Sequence, residues 1–447
     1  VPETPLAAET EGRALGGPLA FTYGSWFTWT AVGVGFPVLT FFLLGAAPFL
    51  AQGAYEAFPL FAATHVATLG WGTMTIMGAA AQMAPALIGA RVRGEHLLPW
   101  QYGVFTGGVA ALVAGFAGGR LAVVIGGAVA VNLGAWVFIV LMVLTAASAA
   151  RRARVLAPHL PLALACFALV LVWGTILAAD LRWGLWPGLL LGHRGLVVHL
   201  TLGLGGWFGL TVVGVFYRLV PLIHGARVQS ARRGWAVLGA AGVALGGALA
   251  GALGGVGWAA RLAALGAALA LLLFAWEVLH VLRHRRGRAP DLNVAHWHAV
   301  VAYSLLLAAS GLLWAVRGIP PAQSGRFGEA VVTVFLLGWV TQAIIGQLYK
   351  VTPFLMWYYR ATIPDVLAIP RQPAPYNPPL GRLVLWLSNA GVLILLAGIW
   401  WGSPVLAEFG AAALAGASLT LAYMLAYRWI PPAAAGALVF EWRWRVS

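Results

Sequence analysis

Runs of about twenty apolar residues, set apart by short polar or Gly/Pro breaks, extend along almost the whole chain and constrain it more than any other feature. A helix needs about 20 such residues to cross the hydrocarbon core of a bilayer. The runs fall at about 22–50, 60–86, 102–118, 121–148, 160–179, 195–223, 235–257, 261–282, 297–316, 329–357, 382–401 and 405–428, which predicts twelve spans. The stretch from Val104 to Ser148 is too long for one helix and divides at Gly118-Gly119-Arg120, and the stretch 235–282 divides near Gly257 to Arg261. With 61% of its 447 residues hydrophobic and 9% charged, the chain lacks the polar surface of a water-soluble enzyme. The expected fold is all-α, one membrane bundle over 22–428 with tails at 1–21 and 429–447.

The net charge of +15 does not point to nucleic acid, because the basic residues are scattered between apolar runs rather than gathered on one face. They sort by loop instead. Loops after even-numbered spans hold Arg91 and Arg93, Arg151, Arg152 and Arg154, Arg232 and Arg233, then Arg283, Arg285 and Arg286. Loops after odd-numbered spans are sparser and mixed in sign, with Glu56, Arg120, Asp180, Arg182 and Glu408 among them. The positive-inside rule then predicts a multi-pass protein of the inner (plasma) membrane with both termini in the cytoplasm. The bilayer is its first partner.

Self-similarity divides the chain further. Gly70-Trp71, Gly78 and Pro85 recur as Gly206-Trp207, Gly214 and Pro221, and again as Gly338-Trp339, Gly346 and Pro353. The spacings of eight and then seven residues are identical in all three, and the copies lie 136 and 132 positions apart. Glycine lets membrane helices approach closely and Trp favours interfaces, which explains one copy but not three in equal register. Three four-helix units follow, at about 22–150, 158–288 and 295–428, related by a pseudo-threefold axis.

Cys166 is the only cysteine, so a metal or cofactor must rest on His, Met, Tyr or carboxylates. His65 stands six residues before Trp71, and His199 eight before Trp207, both inside apolar runs. An imidazole at that depth either hydrogen-bonds to a carbonyl or ligates a metal. The similar placement of two favours ligands. His193 lies in the loop beside Arg194, and His96, His159 and His224 at helix ends. Glu277, His280 and His284 share a helix face near His296 and His298, but the neighbouring arginines oppose a cation there. That region reads as a juxtamembrane basic face able to attract anionic lipid.

The stretch from His65 to Gly72, and still more that from His199 through Trp207 to Tyr217-Arg218 and Pro221, resembles the catalytic subunit of heme-copper oxidases, nearest to the branch of nitric oxide reductases. The resemblance implies twelve helices in three arcs, with heme b held by His65 as the second-helix axial ligand. His199 is then a second heme ligand or a ligand to another metal. It also implies cations for the propionates, for which Arg182, Arg194, Arg317 and Arg326 are available, and an electron donor such as cytochrome c, a cupredoxin or quinol. The chain departs from the family where Val331 and Thr333 replace the tenth-helix histidine pair, and no histidine occurs between Trp235 and Gly257. A three-histidine copper site therefore cannot be assembled in the family's way, and no copper is expected.

Two functional readings stay open. One is heme-dependent electron transfer, or binding or reduction of NO or O₂, by an oxidoreductase-like membrane protein without a heme-copper centre. The other is a heme-free transporter or scaffold that keeps the bundle and uses polar groups such as Asn132 and the Asp180/Arg182 pair. Homo-oligomers are compatible with both.

Overall fold

The computed structural model describes residues 18–88, 90–148, 158–186, 194–226, 230–286, 291–361 and 377–428; the two expected tails (except Pro18–Phe21) and His193 lie outside them. All regular structure among the described residues is helical. Pro18–Thr30, Ala31–Gly35 and Phe36–Gln52 run on as one helix, α1, and Phe58–His65, Val66–Thr73 and Met74–Ile88 form α2. Then come α3 (Leu98–Ala117), α4 (Leu121–Ser148) and α5 (His159–Trp183). Helix α6 joins Arg194–Leu200, Thr201–Gly209 and Leu210–His224, and is followed by α7 (Ala231–Gly254), α8 (Gly257–Arg283) and α9 (Leu292–Arg317). Helix α10 joins Pro321–Thr333, Val334–Val340 and Thr341–Ala361, and α11 (Pro378–Trp401) and α12 (Pro404–Arg428) end the described chain.

Eleven of these helices are long and apolar enough to cross a membrane, so the chain is built as a multi-pass membrane protein. The exception is α2, whose apolar run is diluted by Thr64, His65, Thr68, Thr73, Thr75 and Gln82. The divisions expected at Gly118–Arg120 and near Gly257 are both present, the first a left-handed turn at Gly119 (φ 62°) and the second at Gly255 (φ 65°). Most helices begin a few residues before their apolar runs, and α10 does so furthest, at Pro321, eight residues before the expected 329. Proline is preorganised for a first helical turn, and a polar first turn is invisible to hydropathy.

Small residues set the closest contacts. In α3 against α4, a Cβ on Gly115 would lie 2.6 Å from the Val124 backbone nitrogen, and in α11 against α12 one on Gly398 would lie 2.5 Å from that of Ala407. Where association gains nothing from excluding water, such close backbone approach is the main source of attraction. Successive helices pack on one another, α4 meets α5, α8 meets α9, and α12 returns against α1. The outward surface carries large apolar side chains, with Phe41, Trp258, Trp386 and Trp401 all at least 70% exposed, as lipid rather than water requires.

Loops gather at two ends. Arg326 packs on Gly53 and Gly402, and Arg194 on Gly255, so the turns after odd-numbered helices share one end. At the other, Arg286 N donates to His224 O at 2.9 Å and Lys350 pairs with Asp291 at 2.5 Å.

Candidate functional site

The three Gly-Trp motifs lie on α2, α6 and α10, and each falls in a π-helical segment: Val66–Thr73, Thr201–Gly209 and Val334–Val340. Wide turns of this kind are rare and concentrate at functional sites. The first two are rich in Gly and Thr, which hold an α-helix weakly, while the third has a single glycine, Gly338. Thr341 Oγ1 donates to the Leu336 carbonyl five residues back at 2.8 Å, in the register of the wide turn.

The tryptophans tie the three helices together. Trp71 Nε1 donates to Thr341 Oγ1 at 3.1 Å, and Trp207 Nε1 donates to Thr73 Oγ1 at 3.0 Å. In each case the accepting hydroxyl stands two residues after the Trp of another motif. The matching position in the second motif is Gly209, which has no hydroxyl, and Trp339 Nε1 donates instead to Ser304 Oγ of α9 at 2.8 Å. Trp71 stacks on Phe36 with ring centroids 4.5 Å apart and Trp207 on Phe167 at 4.2 Å. Ser304 precedes Trp339 by 35 residues, as Phe36 precedes Trp71, so the third unit holds a hydroxyl where the first holds a ring.

Beside this layer lies a cavity of about 550 Å³, running from Thr73 and Trp207 to Tyr55 and Ser324 at the end where Arg326 meets Gly53. It is lined mainly by apolar side chains, among them Leu39, Leu43, Leu112 and Leu171, with Ala63, Ala67, Gly174 and Gly203 supplying small surfaces. That volume is within the range of about 300–1,000 Å³ found for ligand and cofactor pockets.

His65 and His199 both line it, with ring centroids 6.4 Å apart and planes inclined at 34°. The π segments begin one residue after His65 and two after His199. His65 Nδ1 lies 2.7 Å from the Phe61 carbonyl, which can only accept, so Nδ1 carries the proton and Nε2 keeps its lone pair. Its ring stacks on Phe116 at 5.0 Å. His199 Nδ1 is buried without a hydrogen-bond partner. The edge of its ring rests on Gly174, where a Cβ would come 2.8 Å from Cε1.

Of the other expected site residues, none of Arg182, Arg194, Arg317 and Arg326 lines the cavity. Thr333 does, and Val331 packs against the core. Asn132 lines it too, but its Nδ2 is used, donating to Thr175 Oγ1 at 2.8 Å and to the Ala128 carbonyl at 3.0 Å. Asp180 Oδ1 accepts from Trp186 N at 2.7 Å, closing the turn after α5. Near the opposite end Glu277 is wholly buried and ion-paired with Arg233, whose guanidinium also lies 4.7 Å from the Trp276 ring centroid. The His280 and His284 rings stand 4.4 Å apart beside this pair. Among the described residues no group of three or more His, Cys, Asp or Glu side chains is placed to hold a metal ion.

Two features escaped the sequence reading. Glu329, expected at a helix end, is inside α10, lines the cavity and is 6% exposed, with neither carboxylate oxygen hydrogen-bonded. Its signal would have been the polar first turns of α10, from Pro321 onward. Tyr55, between α1 and α2, also lines the cavity; burial, and next the Glu56 carboxylate, push its phenol above the ordinary value. No protein-family model matches the chain, and a search of curated proteins finds no match.

Proposed function

We propose that this chain is a membrane-integral b-type heme protein with twelve spans in three pseudo-threefold arcs. His65 and His199 hold the heme iron between α2 and α6. The observation that carries the reading is the close pair of imidazoles lining one apolar cavity. Two imidazoles that shared one metal through nitrogen bonds of about 2 Å would have ring centroids up to about 6 Å apart, and these stand at 6.4 Å.

The residues present fit such a group. His65 offers an Nε2 lone pair, with its tautomer fixed by the Phe61 carbonyl, as expected of a histidine ligand oriented by a second hydrogen bond. His199 brings a buried nitrogen that the protein leaves unpaired. Ala63, Ala67, Gly174 and Gly203 make room for a flat macrocycle, and the leucines exclude water. A heme held on both sides passes single electrons, and one with a free axial position binds NO, O₂ or CO. No cluster of copper ligands stands beside it among the described residues, and four-electron reduction of oxygen is not part of this proposal.

The pseudo-threefold arcs are supported by the Trp-to-hydroxyl bonds between α2, α6 and α10 and by the return of α12 onto α1. The twelfth span is α2: it is flanked in the bundle by α1 and α3, and its polar residues face the cavity and the neighbouring helices. The cavity then lies toward the outer side, because the more basic loops sit at the other end. Elemental analysis tests the site: iron with less than one copper per chain is expected, and stoichiometric copper surviving mild chelation contradicts it.

A further inference from the structure

Glu329 has no role in holding the iron, and its position calls for one. It lies one helical turn from Thr333 on the same face of α10, and both line the cavity that His65 and His199 share. Neither carboxylate oxygen meets a hydrogen-bond donor. A carboxylate in a dry interior without hydrogen bonds is costly, and the neutral acid costs less. A positive charge inside the cavity reverses that balance, so the protonation of this group follows the charge of whatever the cavity holds.

We propose that Glu329 is the proton-exchanging group of the cavity, taking up one proton for each electron the bound heme receives and releasing it on reoxidation. The inference rests on the heme reading above. The charges balance: one electron from a one-electron donor lowers the charge at the site by one, and one proton from water, added to a Glu329 carboxylate oxygen, restores it. Reoxidation returns the electron to an acceptor and the proton to water.

The groups around it are compatible with this part. Arg326, one turn earlier on α10, packs on Gly53 and Gly402 and is close enough for its fixed positive charge to act on Glu329. Tyr55 and Glu56 come from the α1–α2 turn, and His65 and His199 are committed to the iron. Helices α1 and α11, which also pack on this part of α10, bring only Tyr23 and Arg382, each in an early turn at the opposite end. Ser324 and the half-buried Tyr55 mark a polar route from the cavity to the end of the bundle where Arg326 meets Gly53.

The test is a spectroelectrochemical titration of purified protein at a series of pH values. The midpoint potential of the wild type should fall as pH rises, by up to about 59 mV for each tenfold drop in proton activity at one proton per electron. In Glu329→Gln the fall should vanish while the Soret band is retained, and in Glu329→Asp it should persist but be displaced along the pH axis. Redox-difference infrared spectra should show a carboxylic acid C=O band gained on reduction and missing in Glu329→Gln. A slope and infrared band unchanged in Glu329→Gln overturn the inference and leave the heme reading intact. If Glu329→Gln loses the heme, Glu329→Asp decides, an unchanged profile there being the contrary result. A wild type with no Soret band takes down the heme reading itself.

Discussion

Trp207 on α6 donates its indole N–H to Thr73 on α2, and Trp71 on that same helix passes the equivalent bond to Thr341 on α10. Both donors are almost wholly buried, at 3% and 1% exposure, so the bonds have no water to replace them. Losing Thr73 Oγ1 leaves an indole N–H unpaired. We expect Thr73→Val and Trp207→Phe each to lower thermal stability in detergent, with a coupling between them of about 0.6–1.7 kcal/mol, the span found for hydrogen bonds between membrane helices. Additive effects in the double-mutant cycle would show that the bond contributes nothing.

His199 rests against Gly174 with no slack, since a Cβ there would come 2.8 Å from Cε1. Gly174→Val should therefore displace the ring and reproduce the optical spectrum of His199→Ala while the protein still elutes as a folded species. A Gly174→Val spectrum identical to the wild type would show that the ring's position is immaterial to the bound group.

Glu277 is fully buried and Arg233 is its counter-ion, 30% exposed at the side chain. Removing one partner of such a pair costs about 3–5 kcal/mol when both are buried, and the exposed guanidinium places this one at the low end. Arg233→Ala should thus be markedly less stable, and Glu277→Gln added to it should restore much of the loss. No rescue in the double variant would show that Arg233 acts through its stacking on Trp276 instead.

His159, at the first turn of α5, stacks on Tyr217 at 5.5 Å, and neither residue lines the cavity. His159→Ala should leave the absorption spectrum unchanged, whereas His65→Ala should lose a heme or convert its spectrum. An altered spectrum in His159→Ala would place a ligand outside the cavity.

Cysteine labelling from outside intact cells should miss positions 232 and 286, at the basic end of the bundle. Labelling of either from outside would contradict the orientation and the count of spans on which it depends.

The helices were legible because hydropathy reports a lipid-facing surface directly, and the break after α3 because Gly118-Gly119-Arg120 offers a glycine for a left-handed turn; the second break falls at Gly255, just before the expected Gly257 to Arg261. Helix α2 was harder, since the threonines and His65 that serve the interior dilute its apolar run. The Gly-Trp repeat was plain in the sequence, and its partner hydroxyl was equally readable as Gly70-Trp71-Gly72-Thr73 and Gly338-Trp339-Val340-Thr341. The meeting of His65 with His199 was not readable, because it depends on how α2 and α6 face each other across the bundle. Glu329 was hidden for a related reason: sequence gives its charge, and only packing shows that it is buried with no hydrogen bond to either oxygen.

The central claim is that His65 and His199 hold a heme, and the absorption spectrum of the purified protein, oxidised and then reduced with dithionite, tests it most directly. The account predicts a Soret band and the sharp reduced bands of a six-coordinate b-type heme, converted in His199→Ala to a form that binds CO. A wild-type protein with no Soret band, even after expression with added heme precursor, would contradict it and leave a heme-free transporter or scaffold as the reading of this bundle.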